Sequence, residues 1–222
     1  MNNNQLAVIF DMDGVIAYTL PFHVKAWKRL CNNHNEKFPD DFFENYLGLT
    51  SSETVKRFFN NQLSPELVNE YTKEKDRLYL EEVEVGLKPM KGLIKLLDEL
   101  SSNHIPLAVA TSEPSNVAKI ILKSTGVSKY FPDNAILTGD QVTKSKPSPE
   151  IYLKTARILG IDPKQCIAIE DSIPGLESAI NADMKTIALT SSHPKEELSH
   201  ADLVIESFDE LTLEKIKSLV KF

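Results

Sequence analysis

Two aspartates stand in Asp11-Met12-Asp13-Gly14, directly after the apolar run at residues 6–10. A carboxylate can attack phosphorus to form an aspartyl-phosphate, and a second carboxylate nearby can protonate the leaving oxygen. Gly14 permits the sharp turn that such a pair needs. Loop aspartates that cap a turn give the same pattern, so the other strand ends must decide between the two readings. Thr111 and Ser112 end the run at 105–110. Their hydroxyls and backbone N–H groups, before a helix start, could hold an anion; one of them, or Glu113, could instead cap that helix. Lys146 lies in Lys146-Pro147-Ser148-Pro149-Glu150, where two prolines stiffen the approach and could fix its direction, although a lone surface lysine is ordinarily solvated. Glu170 and Asp171 follow the run at 166–169. Together with Asp11 and Asp13 they crowd four negative charges, and such a cluster calls for a cation; Mg²⁺ prefers carboxylate, phosphate and water oxygens, and Mn²⁺ accepts the same ligands. Capping of a helix near Pro174 is the other reading of Glu170 and Asp171. It weakens because all four signals fall at strand ends.

The elements that must place these residues are read from periodicity. Short unbroken apolar runs at 6–10, 105–110, 166–169, 186–189 and 203–205 suit strands covered on both faces, as in a parallel sheet. Between them, Leu93, Leu96, Leu97 and Leu100 follow helical spacing and Asn103 closes the stretch; Ile151, Thr155, Ile158 and Leu159 repeat the pattern and stop at Gly160. The alternation over 88–222 predicts a doubly wound, Rossmann-like α/β fold with a mostly parallel sheet, whose ligands collect at the carboxyl ends of the strands. Residues 16–86 break the rhythm with several helical patterns and no convincing strand. Thr50-Ser51-Ser52-Glu53 reads as a capping box, and Ser64-Pro65-Glu66 sets a cap residue before a proline at the first helical position. The expected division is a catalytic core of residues 1–15 and 87–222 and a small α-helical cap domain, 16–86, inserted after the first strand and lying over the ligand end of the sheet.

Composition bounds the rest. The chain has 222 residues, with 25 Lys+Arg against 32 Asp+Glu, a formal charge of −7 and a pI near 5.3. That balance argues against a nucleic-acid partner, which would need a cationic excess to neutralise phosphates. A chain this long buries roughly 70–75% of its unfolded surface and needs no disulfide or metal staple. With 41% hydrophobic and 26% charged residues, no apolar run approaches the ~20 residues of a membrane helix, so no membrane partner is expected. Met1-Asn2-Asn3-Asn4-Gln5 lacks the basic start and apolar stretch of a secretory signal, which points to the cytoplasm. Cys31 and Cys166 stand far apart with no Cys-x-x-Cys spacing and are expected to be reduced and packed. His34, His104, His193 and His200 show no ligand spacing and are expected to be structural or solvated. Nothing demands an oligomer, and a monomer is expected.

Four motifs occur in order: Asp11-x-Asp13-Gly14-Val15, Val109-Ala110-Thr111-Ser112, Lys146-Pro147-x-Pro149-Glu150-Ile151-Tyr152, and Ile169-Glu170-Asp171-Ser172 with Gly175. Together they resemble the haloacid dehalogenase superfamily of phosphotransferases over nearly the whole chain. The segment between the first two motifs is similar to the helical cap of the subgroup that holds β-phosphoglucomutases and sugar-phosphate phosphatases. The resemblance implies that Asp11 is the nucleophile and Asp13 the general acid and base. It implies that Thr111 and Lys146 hold the transferring phosphoryl group, and that Asp11, the Asp13 backbone carbonyl, Glu170 and Asp171 hold Mg²⁺. The name-giving dehalogenases lack the metal carboxylates, so dehalogenation is not expected.

In the cap, Thr19, His23 and Trp27 match the segment that follows the aspartate pair of β-phosphoglucomutases, and Lys75 matches a lysine in Lys75-x-x-x-Tyr79. By periodicity, Val68, Tyr71, Lys75 and Leu78 share one stripe, so Lys75 either snorkels outward from an apolar face or faces a substrate. His23 shares the face of Trp27, Leu30 and His34, and either packs or functions. The departures carry more weight. The mutases place an arginine in the cap loop where Gly48-Leu49-Thr50-Ser51-Ser52 has Ser51, and a lysine where this chain has Pro114; Tyr18 replaces an acidic residue beside Thr19. A sugar bisphosphate that swings end over end needs a strong grip on its non-reacting phosphate, which charge-assisted bonds from such cations supply. The expectation is therefore a Mg²⁺-dependent phosphatase of a small phosphorylated metabolite, sugar phosphates first, with Ser112, His23, Trp27, Gly48, Thr50, Ser51 and Lys75 as substrate contacts. The alternative is a β-phosphoglucomutase that interconverts β-glucose 1-phosphate and glucose 6-phosphate and takes its grip from Lys56, Arg57 or Lys75. Pyrophosphate or a nucleotide as substrate stays open, since the cap selects the leaving group. A non-catalytic binding module would have lost one of the core residues, and all are present.

Overall fold

A computed structural model of the chain describes residues 5–46 and 51–220. The chain falls into two compact units, Met1–Tyr18 with Leu87–Phe222, and Thr19–Gly86. Residues 16–18, read from the sequence as part of the insertion, group with the first unit. There Ile16 and Ala17 are fully buried, and the Ile16 carbonyl accepts from Met90 N at 2.8 Å.

The apolar runs become six parallel strands: β1 (Ala7–Phe10), β2 (Leu107–Ala110), β3 (Ile136–Leu137), β4 (Cys166–Glu170), β5 (Lys185–Leu189) and β6 (Leu203–Ile205), in the order β3-β2-β1-β4-β5-β6. Side chains alternate between two covered faces. On one face Ala7, Ile9, Ala108 and Ala168 pack with Tyr152 and Ala156 of α7 (Glu150–Leu159) and Ala179 of α8 (Ile173–Asn181). Facing the other way, the Phe10 ring meets Phe131 at 5.8 Å and Phe208 at 6.4 Å. Burial on both faces explains why these strands read as unbroken apolar runs. The strand order reverses direction between β1 and β4, the place where sheets of this kind bind ligands at the carboxyl ends of their strands.

Further helices of this unit are α5 (Leu93–Ser102), α6 (Ser115–Ser124) and α9 (Leu213–Ser218). α5 buries Leu93, Leu96, Leu97 and Leu100 and ends at Asn103, as the spacing predicts. α7 differs from expectation: Ile151, Tyr152, Thr155 and Ala156 are buried while Ile158 is 42% exposed. At 3.6 residues per turn the buried arc centres between Tyr152 and Thr155, and Ile158 falls about 90° from that centre. Gly160, with φ of 70°, closes the helix.

The second unit holds α1 (Leu20–Asn33), α2 (Phe42–Asn45), α3 (Ser51–Phe58) and α4 (Pro65–Gly86). α1 packs along α4, and Arg29 bridges Glu81 at 2.7 Å and Glu82 at 2.9 Å. Trp27, Phe38, Phe42 and Tyr46 surround the Phe58 ring. Ser64 Oγ accepts from Leu67 N at 3.4 Å and caps α4. His34 is structural: it pairs with Glu74 at 2.7 Å and lies against the Tyr71 ring. Both cysteines are free and buried. Among the described residues no helix is long and apolar enough to cross a membrane.

Candidate active site

The sheet fixes the backbone of the motif residues before any side chain acts. Asp11 N continues the ladder past β1 by donating to Ile169 O at 2.9 Å, and Thr111 N does the same past β2 by donating to Leu137 O at 3.0 Å. Glu170 is the last residue of β4, one position further into the strand than the apolar run suggested, and Asp171 follows it. Asp11, Glu170 and Asp171 are buried, and one oxygen from each lies within 4.8 Å of the others.

Lys146 is the cation of this cluster. Its Nζ donates to Asp11 Oδ1 at 2.5 Å, Glu170 Oε1 at 2.7 Å and Ala110 O at 3.1 Å, with only 8% of the side chain exposed. Glu150, in the first turn of α7, ties down the chain just before the lysine. Its carboxylate accepts from Lys154 Nζ, Thr143 N, Thr143 Oγ1 and Lys144 N at 2.7–3.0 Å. The Lys154 bond first and the Thr143 N–H next lower the Glu150 pKa to about 2. Burial works against the charge of Lys146, but Asp11 and Glu170 hold its pKa above the ordinary lysine value.

One ammonium facing three buried carboxylates leaves negative charge uncompensated. Burial, with the Glu170 charge second, raises the Asp11 pKa well above the usual carboxylate range and carries Asp171 to about 7. Ser191 and Ser192 hydroxyls at Asp171 Oδ2 offset only part of that cost. An anionic cluster of carboxylate oxygens is the donor set of a hard divalent cation, so the residues present fit Mg²⁺. The two serines were not anticipated. The signal available was the hydroxyl run Thr190-Ser191-Ser192 at the end of β5.

The helix-capping alternatives fail on geometry. Ser172 is the N-cap of α8, its Oγ accepting from Gly175 N at 3.2 Å, which leaves Glu170 and Asp171 for other work. α6 begins after Pro114 with no side-chain cap. Thr111 Oγ1 accepts from Glu113 N at 3.0 Å inside the turn, and Thr111 is fully buried while Ser112 is exposed. Asp13 is half-buried in the turn and bridges to Ala17. A cavity of about 280 Å³ borders Lys146 and is lined by Ser112, Gly139, Val142, Thr143 and Ile151.

Within the second unit, Lys75 is 4% exposed, so the snorkelling alternative is wrong. Its Nζ lies 3.2 Å from His23 Nδ1, 3.4 Å from Ser51 Oγ and Asp76 Oδ1, and 5.2 Å from the Trp27 and Tyr79 ring centroids. Ring faces and a histidine nitrogen take the place of water around the ammonium. His23 stacks on Tyr79 with centroids 3.9 Å apart, and burial, then the Lys75 charge, pushes its pKa well below the usual value. His23, Trp27, Ser51 and Lys75 therefore form one cluster. Gly48 and Thr50 lie outside the described residues.

A doubly wound parallel sheet with this charge cluster at its switch point is the framework of a hydrolytic or phosphoryl-transferring enzyme. The chain belongs to the haloacid dehalogenase-like hydrolase family, whose model matches residues 8–189. It is 28% identical over 211 residues to hexitol phosphatase A of Escherichia coli (strain K12), which covers 93% of each chain. It is 32% identical over 185 residues to the phosphorylated carbohydrates phosphatase of Thermotoga maritima, covering 82% of this chain and 83% of the relative. The crystal structure of β-phosphoglucomutase from Clostridium difficile superposes with a TM-score of 0.80 at 28% identity, over 96% of each chain.

Proposed function

We propose that the protein is a Mg²⁺-dependent phosphatase of small phosphate monoesters, sugar phosphates foremost, acting through an aspartyl-phosphate at Asp11. The observation that carries this reading is the Asp11 carboxylate at the end of β1, held by Lys146 at 2.5 Å beside Asp171. The relatives named for phosphorylated carbohydrates and hexitols support the substrate class.

Asp11 would attack the phosphorus as the bond to the sugar oxygen breaks, while Asp13 gives its proton to that oxygen. Asp13 would then take a proton from water, whose attack on phosphorus frees Asp11 and releases inorganic phosphate. Lys146 and the Thr111 hydroxyl would stabilise the charge on the transferring group. Asp11, Glu170, Asp171 and the Asp13 carbonyl would hold Mg²⁺, which when bound would supply the charge that lets one anion approach another. Selection of the substrate is assigned to His23, Trp27, Ser51 and Lys75, with Ser112 of the core. The core site draws every group from one chain, so a monomer suffices, and two free buried thiols suit the cytoplasm.

The similarity to β-phosphoglucomutase favours a second reading, mutase activity. Ser51 and Pro114 stand where that chemistry needs cations. A screen of phosphate release from hexitol phosphates, sugar phosphates and pyrophosphate, with and without Mg²⁺, separates the two when β-glucose 1-phosphate primed with its bisphosphate is included. Metal-dependent release that disappears in Asp11→Asn is the expected result. Rapid isomerisation with little phosphate release would establish the mutase, and full activity in Asp11→Asn would remove Asp11 as nucleophile.

A further inference from the structure

We propose that the groove between α3 and α4 is a second binding site, which takes a small hydroxylated organic anion such as a sugar phosphate or a sugar acid. It needs no phosphoryl transfer, and the role given to Asp11 neither supports nor weakens it.

α3 packs against α4, and the cavity between them measures about 410 Å³, inside the range of roughly 300–1,000 Å³ found for small-molecule sites. All of its lining residues belong to the second unit. Helical spacing explains why they meet. Ser52 and Lys56 stand one turn apart on α3, and Pro65, Val68, Asn69 and Thr72 follow i, i+3, i+4, i+7 spacing on α4. Asn61, left-handed at φ of 56°, and Leu63 come from the connection between the two helices. Among the described residues none of His23, Trp27, Ser51 or Lys75 lines this cavity, so it is not the Lys75 cluster.

The charge of the groove selects an anion. Lys56 is its one charged lining group among the described residues. Glu53, three residues earlier on α3, is drawn to Arg57 at 3.3 Å. Lys37, Lys154 and Lys185 each pair with a carboxylate at 2.5–2.7 Å, whereas Lys56 meets no acid among the described residues. Its ammonium therefore gives up only water to bind an anionic group, and such charge-assisted bonds are the stronger kind. The carboxamides of Asn61 and Asn69 stand beside it, each able to donate and to accept.

Thr72 sets a second requirement. Its Oγ1 donates to Val68 O at 2.7 Å, so towards the cavity it can only accept. A ligand must bring a donor, which a sugar hydroxyl has and a phosphate dianion lacks. Leu63, Pro65 and Val68 present apolar surface to the C–H groups of the same carbon chain. An anionic head at Lys56 and a hydroxylated chain along α4 satisfy all of these groups together.

The test uses the full chain, labelled with ¹⁵N and carrying Asp11→Asn, in chelator, so that no probe is turned over. NMR follows the amide signals of Lys56, Asn61, Asn69 and Thr72. Glucose 6-phosphate or gluconate should shift these signals to saturation with a Kd of about 1 mM or tighter, and the tighter of the two names the anionic head. Adding Lys56→Gln should weaken that binding by about 10-fold or more, and Thr72→Val by about 3-fold or more. Inorganic phosphate, which has no hydroxylated chain, should bind about 10-fold more weakly still than the better probe. Unchanged signals away from the groove show that each variant is folded. No saturable shift with either probe, or equal affinity in Lys56→Gln, would overturn the site. Equal binding of inorganic phosphate, or unchanged affinity in Thr72→Val, would overturn the hydroxylated class of ligand.

Discussion

Gly14 and Asp171 are packed so closely that a Cβ on the glycine would overlap Asp171 Oδ2, and Gly14 stands at φ of 74°. The Gly14 carbonyl also lies 2.6 Å from Ser191 Oγ, which is 3.1 Å from the same carboxylate oxygen. The aspartate turn after β1 and the acidic end of β4 are thus locked together through a position only glycine fits. In Gly14→Ala, the left-handed backbone costs about 1–2 kcal/mol and the overlap about 1–3 kcal/mol. Tm should fall by roughly 4–20 °C, and Mg²⁺ binding by calorimetry should weaken. Unchanged values of both would show that the turn moves aside freely.

Lys146→Met should be among the most destabilising single changes in the core. It leaves Asp11 and Glu170 buried without their cation, a loss of about 3–5 kcal/mol when one partner of a buried pair is removed. In chelator at pH 8 the variant should melt well below the unsubstituted protein. Saturating Mg²⁺ should raise its Tm by more than it raises the unsubstituted protein's, because the metal binds folded carboxylates that now lack a counter-ion. Equal shifts in the two proteins would indicate that the lysine and the metal do not share these carboxylates.

The raised acid pKa values give the metal-free protein an unusual pH dependence. Asp171 titrates near 7 in the folded state and about 3.9 when unfolded, so between these values the folded chain holds more protons. Stability then falls as pH rises through roughly 4 to 7 and levels above it. Asp11, also raised, acts in the same direction, whereas Glu150, lowered to about 2, adds a loss only below its unfolded value near 4.3. Calorimetry in chelator should give a lower Tm at pH 8 than at pH 5.5, and Mg²⁺ should reverse the order. A Tm in chelator that rises with pH would contradict the buried, uncompensated state of the cluster.

The placement of Asp11, Thr111 and Glu170 was legible because each is a polar group ending an apolar run, and a parallel sheet gathers the ends of such runs at one edge; Lys146, in a polar loop, was marked only by the prolines that follow it. Three features were hidden for definable reasons. β3 has only two residues, Ile136 and Leu137, too few to show a period. In α7 hydropathy favoured Ile158, whereas the sheet took the small residue Ala156 and the aromatic Tyr152, which fit against Ala108 and Ala168. The support of the acidic pair by Tyr152 and Ser191 depends on contacts spanning 18 and 20 positions of sequence, for which no local pattern exists. The burial of Lys75 likewise needs His23, Trp27 and Tyr79 to arrive from two helices.

Lys75 supplies the last test, because its packing and its proposed role pull a substitution in opposite directions. Its ammonium is nearly inaccessible and meets two ring faces, a neutral histidine and a half-exposed Asp76. Replacing a buried charge by an apolar side chain of similar volume is often neutral or stabilising by about 1–4 kcal/mol, so Lys75→Met should keep or raise the Tm of the protein. If the ammonium also binds substrate oxygen, the same change removes a charged hydrogen bond of about 1.5–3 kcal/mol. KM for the best sugar phosphate should then rise by about 10- to 150-fold, with Mg²⁺ affinity unaltered. A Tm that holds while KM rises assigns Lys75 to recognition. Unchanged kinetics with a large drop in Tm would leave it as a packing residue and remove the cap cluster from the substrate site.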